Sequence, residues 1–207
     1  MTDVINLRKK YESLCKEKSD INEHLPTIYN LAKDCESIIE LGVRGVVSSY
    51  ALTYGLVNNN SNIKKLFLND IQKCDINELL INTKNINIDV SYQWINDLDL
   101  EIEHNYDMTF IDTWHVYAQL KRELKKFSRF TNKYIIMHDT QIDGILGETI
   151  RNKWNALEQS KKSGFNIDEI NKGLKPAIDE FLANNKNWKL KQEFTNNNGL
   201  TILEKII

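Results

Sequence analysis

The sequence predicts an α/β fold: a doubly wound, mostly parallel seven-stranded sheet that ends in an antiparallel hairpin, behind an N-terminal helical cap. Three observations carry this. Short apolar runs alternate with helical stripes from residue 37 onward. The readable runs end on acidic residues. Asn196-Asn197-Asn198-Gly199 then separates the last two runs, and Asn-Gly suits a tight hairpin because both residues tolerate positive φ. Alternation of this kind calls for helices on both faces of a parallel sheet. With 207 residues the chain is expected to form one domain, a cap over 1–36 and a core over 37–207.

The elements follow in order. Val4, Leu7, Tyr11 and Leu14 share one side of a helix over residues 2–18. A connecting loop carries His24, and a second helix runs from Pro26, well suited to a first turn, to about Cys35. Residues 37–41 form a strand ending at Gly42, and residues 48–56 a helix stopped near Gly55. Residues 65–68 form a strand ending at Asn69-Asp70, with a helix over 75–82. Residues 86–90 are the third strand and 94–100 helical. Residues 108–111, closed by Asp112, are the fourth strand. Val116, Leu120, Leu124 and Phe127 mark the next helix, whose run Lys121 to Lys126 reads as its solvated face. Residues 134–137, closed by His138-Asp139, are the fifth strand. Residues 141–170 read as polar and irregular, with one short helix over 151–159. Leu174, Ile178, Phe181 and Leu182 give a last helix before strands over 189–194 and 200–204.

Composition removes several functions. Hydrophobic residues at 41% and charged ones at 27% exclude a disordered chain. Twenty-seven Lys and Arg against 29 Asp and Glu give a net charge of −2, so neither nucleic acid nor an anionic membrane is an expected partner. MTDVINLRKK lacks the apolar core of a signal peptide, and no apolar run suffices to cross a bilayer. Three cysteines without metal-like spacing fit a reducing, cytoplasmic setting.

In an open parallel sheet, ligands bind beyond the carboxyl ends of the strands. Those ends read Glu40-Leu41-Gly42-Val43-Arg44-Gly45, Asp70, Asp112-Thr113-Trp114-His115 and His138-Asp139-Thr140. Every one carries an acid. Gly42 and Gly45 permit close backbone approach, although their spacing is not the dinucleotide fingerprint. Asp70 suits the two hydroxyls of a ribose, or the cap of a helix. Asp112 and Asp139 offer oxygen ligands to a divalent cation. His115 and His138 offer bases that titrate near neutrality.

The stretch Glu40 to Ser48, the acid Asp70, and Phe110-Ile111-Asp112-Thr113-Trp114-His115-Val116-Tyr117 resemble class I S-adenosylmethionine-dependent methyltransferases. The nearest branch holds catechol O-methyltransferase, macrolide sugar O-methyltransferases and cephalosporin-hydroxylase-like proteins. Methyltransferase domains of large DNA viruses, some acting on glycans, are similar too, which would place the chain in host cytoplasm. The resemblance implies a Rossmann-like core, S-adenosylmethionine as cofactor and O-methylation of a small acceptor, a sugar or glycan before a phenol. It implies that Gly42, Arg44 and Ser48 line the methionine end, with Glu40 supporting the loop. Asp70 would hold the ribose, while Thr113 and Trp114 flank the adenine or sulfonium. Asp112, Asp139 and Thr140 would take a divalent metal such as Mg²⁺, and His115, with Asp112 and His138, would do the proton chemistry. A homodimer is compatible with it. Two departures stand out: Thr140 replaces an amide ligand, and the loop glycine falls at Gly45, leaving Val46 in its usual place. Two other functions compete. One is a non-catalytic cofactor-binding scaffold. The other is a hydroxylase, because Asp112, His115, His138 and Asp139 include the ligand types of an iron triad.

Overall fold

A computed structural model of the chain describes residues 2–206; Met1 and Ile207, the end points of the expected domain, lie outside the described residues. Seven strands run in the order β3-β2-β1-β4-β5-β7-β6, the mostly parallel α/β sheet with a closing antiparallel hairpin that the sequence predicts. The chain divides into two compact units, residues 1–111 and 112–207.

The first unit holds α1 (Thr2–Lys16), α2 (Leu25–Ala32), β1 (Ser37–Leu41), α3 (Val47–Val57), β2 (Lys65–Asp70), α4 (Asn77–Thr83), β3 (Asp89–Trp94) and β4 (Tyr106–Ile111). β1 pairs in parallel with β2 and β4, and β2 with β3. A central parallel strand is covered on both faces, which is why Ile38, Ile39 and Leu41 are buried in an unbroken run. α3 carries no charged residue and is almost wholly buried. It runs past Gly55, which does not stop it. A Cβ there would lie 2.4 Å from Ala32 Cβ and 2.7 Å from Tyr29 O, so glycine is needed where α2 crosses α3. α1 packs on α3 and α4, and α2 on α3.

β3 begins three residues later than expected. It lies at the sheet edge and is mostly exposed, so its residues lack the apolar run that marks a covered strand, and the apolar Ile86 and Ile88 instead precede it. Residues 94–100 hold the end of β3 at Trp94 and a short 3₁₀ turn, Asp97–Asp99, rather than a helix.

The second unit holds α5 (Tyr117–Phe127), β5 (Thr131–His138), α6 (Glu148–Arg151), α7 (Ala156–Ser163), α8 (Ile167–Asn171), α9 (Leu174–Asn184), β6 (Trp188–Phe194) and β7 (Leu200–Lys205). β7 pairs antiparallel with β5 and β6. Asn197, Asn198 and Gly199 take positive φ at the hairpin, as their residue types predict. Residues 141–170 are not irregular. They form three short helices, with Asn155 and Asn166 capping α7 and α8. The segment is pinned to the chain that follows it: Gly147 N donates to Asn171 O, Gly173 N to Ile145 O, and Leu174 N to Asp143 O. Nor is the run from Lys121 to Lys126 wholly solvated. Glu123 is fully buried and accepts from Gln119, and Arg122 stacks 4.1 Å above the Phe165 ring. No helix among the described residues is long and apolar enough to cross a membrane.

Candidate active site

In the first unit the loop after β1 is built around two buried carboxylates. Glu40 has no exposed surface; Ser48 Oγ and Ser49 Oγ donate to it at 2.5 and 2.6 Å, tying the end of β1 to the first turn of α3. Asp70, at the end of β2, accepts from Val43 N and Arg44 N at 2.9 Å each and from Gln72 N at 2.7 Å. Gly42 takes φ 86° and donates to Asn69 O. Arg44 contributes its backbone to the loop, while its guanidinium reaches outward to Asp20 at 3.0 Å.

The loop departure is visible in the backbone. Gly45 needs no glycine freedom: a Cβ there would meet nothing nearer than Val47 Cγ2 at 3.8 Å. Val46 instead carries the left-handed conformation, φ 62°, which a β-branched residue adopts only at a cost of order 1–3 kcal/mol. His24, in the linker between α1 and α2, is buried, 1% exposed.

In the second unit the acids and histidines gather. His115 Nε2 lies 3.1 Å from Asp112 Oδ1, and His115 Nδ1 lies 3.1 Å from Asp139 Oδ2, 3.2 Å from Asp143 Oδ2 and 3.7 Å from Glu148 Oε2. His138 Nδ1 lies 3.4 Å from Asp112 Oδ1 and 3.6 Å from Asp139 Oδ1. Adjacent side chains on a strand point to opposite faces. Here His138 and Asp139 approach one spot because Asp139 leaves β5 with φ 57°, a conformation Asp tolerates better than most residues. Arg151 Nε and Nη2 clamp Asp143 at 2.6 and 2.8 Å.

The electrostatics follow from crowding in a dry place. Burial opposes ionisation of Asp112, yet the two histidines hold its carboxyl well below the usual range. Burial likewise disfavours both imidazolium rings, but Asp112 beside them raises both pKa values, that of His115 strongly. Asp139 is raised by burial, with the Asp112 charge adding to it against the two histidines. Asp143 is lowered, because bonds from His115 and Arg151 outweigh its burial.

Asp112, His115, His138 and Asp139 thus come together. Thr140, the next residue, is buried, and Thr201 Oγ1 on β7 donates to its hydroxyl at 2.9 Å. The Thr113 hydroxyl donates to Glu123. The partly buried Trp114 ring stacks on Phe165 at 6.1 Å and packs against Val116, Ala118 and Ile170. Asp143 and Arg151 join the cluster beyond the expected residues, and Glu148, which the sequence offers to either an acceptor pocket or a solvated turn, lies 3.7 Å from His115 Nδ1. Asp143 stands one helical turn beyond Asp139, a spacing legible in the sequence; the polar composition around it hides the signal.

No protein-family model and no curated protein matches the chain. Solved structures do. The O-methyltransferase from Bacillus cereus in complex with SAH aligns at TM-score 0.58 and 14% identity, over 99% of this chain and 91% of that one. The O-methyltransferase TomG from Streptomyces achromogenes, involved in tomaymycin synthesis and solved with SAM, aligns at 0.57 and 10%, over 99% and 90%. The N-methyltransferase NodS from Bradyrhizobium japonicum aligns at 0.58 and 10%, over 91% and 97%. The chain therefore has the α/β fold of these methyltransferases.

Proposed function

We propose that this protein is an S-adenosylmethionine-dependent O-methyltransferase acting on a hydroxyl of a small acceptor, with a sugar or glycan favoured. The observation that carries the reading is the gathering of Asp112, His115, His138 and Asp139 beyond β4 and β5, in a fold whose solved neighbours include SAM- and SAH-bound methyltransferases. So costly a collection of buried charge favours an enzyme over a non-catalytic scaffold.

When bound, S-adenosylmethionine would supply an activated methyl group on a charged sulfur. The residues of the first unit fit that cofactor. An ionised carboxylate offers about four acceptor positions. Asp70 uses three on backbone N–H groups, leaving one at Oδ1 for a ribose hydroxyl. Gly42 and the backbone of Val43 and Arg44 would form the bed of the methionine end, with Glu40 and Ser48 keeping it rigid. Thr113, directly after β4, would border the adenosine.

In the second unit His115 would take the acceptor's proton at Nε2 once that nitrogen has given up its own proton, which Asp112 at 3.1 Å otherwise holds in place, while Asp139 and Asp143 hold Nδ1 and so fix the ring. A proton acceptor at this place favours a hydroxyl over an amine, because an alcohol is a poor nucleophile until its proton leaves. Asp112 and Asp139 would also hold a divalent cation. Asp139 Oδ1 is buried without a hydrogen-bond partner, as an atom kept for a cation would be. Ile145, Leu146 and Trp154, exposed on the segment that carries Asp143 and Glu148, offer an apolar flank for the nonpolar face of a ring.

Calorimetric titration with S-adenosylhomocysteine tests the reading. Binding by the wild-type chain and at least about tenfold weaker binding by Asp70→Asn are expected, since a charged hydrogen bond contributes about 1.5–3 kcal/mol. No binding by the wild-type chain would end the proposal.

A further inference from the structure

We infer that the cation site takes its third protein ligand from His138 Nδ1 in place of Thr140, and that it therefore selects a divalent transition metal over Mg²⁺. This rests on the cation role given above to Asp112 and Asp139.

The ligand atoms are placed for it. Asp112, His138 and Asp139 each present one donor atom, all within 4.8 Å of one another. His138 Nδ1 stands 3.4 Å from Asp112 Oδ1 and 3.6 Å from Asp139 Oδ1, at or past the end of hydrogen-bond range. Two ligands about 2.1 Å from a common ion, at a tetrahedral angle, are separated by about 3.4 Å. The spacings match donors around an ion better than partners in a hydrogen bond. Asp139 is 5% exposed and its Oδ1 has no hydrogen-bond partner, so the group least easily left in the dry interior faces this spot.

The ring of His138 is prepared for ligation. Its Nε2 lies 3.3 Å from Asn197 O, which can only accept, so the proton belongs on Nε2 and the Nδ1 lone pair faces the carboxylates. A backbone carbonyl behind a histidine ligand is the usual way its tautomer and angle are set. The neighbouring group His115, Asp139 and Asp143 also has metal-like spacing. However, Asp143 is already held through both oxygens by Arg151, and His115 through both nitrogens by carboxylates. That group orients the ligands rather than competing for the ion.

The choice of metal follows from donor type. Carboxylates alone suit Mg²⁺, whereas imidazole suits Zn²⁺, Co²⁺ and their neighbours, and affinity for a mixed nitrogen and oxygen set rises along the first transition row. Replacing an amide oxygen by imidazole nitrogen tilts the site in that direction.

The test needs neither cofactor nor acceptor, so it fails independently of the methyl-transfer reading. Chelator-treated protein is titrated calorimetrically with Co²⁺ and with Mg²⁺, and the Co²⁺ form is read by its visible d–d absorption. The wild-type chain should favour Co²⁺, and His138→Asn should reduce that ratio at least about tenfold and shift the visible bands. Thr140→Val should leave ratio and bands unchanged. Pulsed EPR of the Mn²⁺-loaded wild-type protein should show coupling to a ¹⁴N nucleus, which keeps the test sound if His138→Asn folds poorly. Absence of nitrogen coupling, or an equal ratio in wild type and a folded His138→Asn, would overturn the inference.

Discussion

Tyr11 illustrates how a single side chain sets a pH limit. Its ring lies 5.2 Å from those of both Tyr29 and Tyr54, joining α1, α2 and α3. Burial, helped by Cys15, pushes its hydroxyl well above the ordinary tyrosine range. The unfolded chain then releases this proton from about pH 10 while the folded one retains it. The stabilisation is complete below that point and is lost as pH rises toward the raised folded value. Urea unfolding from about pH 9 to about pH 11 should show stability falling more steeply in the wild type than in Tyr11→Phe; parallel slopes would exclude Tyr11 as the cause. His115 makes the corresponding prediction for chemistry. His115→Ala should lower turnover by about 10²–10⁴-fold and leave S-adenosylhomocysteine affinity nearly unchanged, as expected for a group acting only on the reacting proton. Equal losses in affinity would make it a structural residue.

Among the elements, the α2–α3 crossing is the most exacting. Gly55 admits Ala32 and the Tyr29 carbonyl at distances no Cβ can share. Gly55→Ala gains helix propensity, about 1 kcal/mol, but must push two packed helices apart. A net loss of about 1–3 kcal/mol in chemical denaturation is expected; a gain would show that the crossing relaxes freely. Residues 141–173 show how short helices are held without much apolar surface. α7 has no buried residue, and its place is set by the Asn155 cap and the turns that bind the segment to residues 171–174. This explains why the apolar pattern failed there: periodicity reports burial, and these helices bury little.

For the molecule as a whole, the proposed function predicts ligand-linked stability. S-adenosylhomocysteine at a hundred times its Kd should add about 2.7 kcal/mol. For a chain of this size that raises Tm by about 5–10 °C. An unchanged Tm at saturating concentration would count against a cofactor site.

The alternation of buried runs and amphipathic stripes was legible along the chain, since covering a parallel strand on both faces demands it. Thus β1, β2, β4 and β5, the closing hairpin and the acids at the strand ends could be read directly, whereas the exposed edge strand β3 could not. The meeting of Asp112 with His138 and Asp139, and the use of Thr140 by Thr201, came from folding alone. Local pattern records which residues avoid water, but which charges become neighbours depends on strands far apart in the chain and on one backbone turn at Asp139.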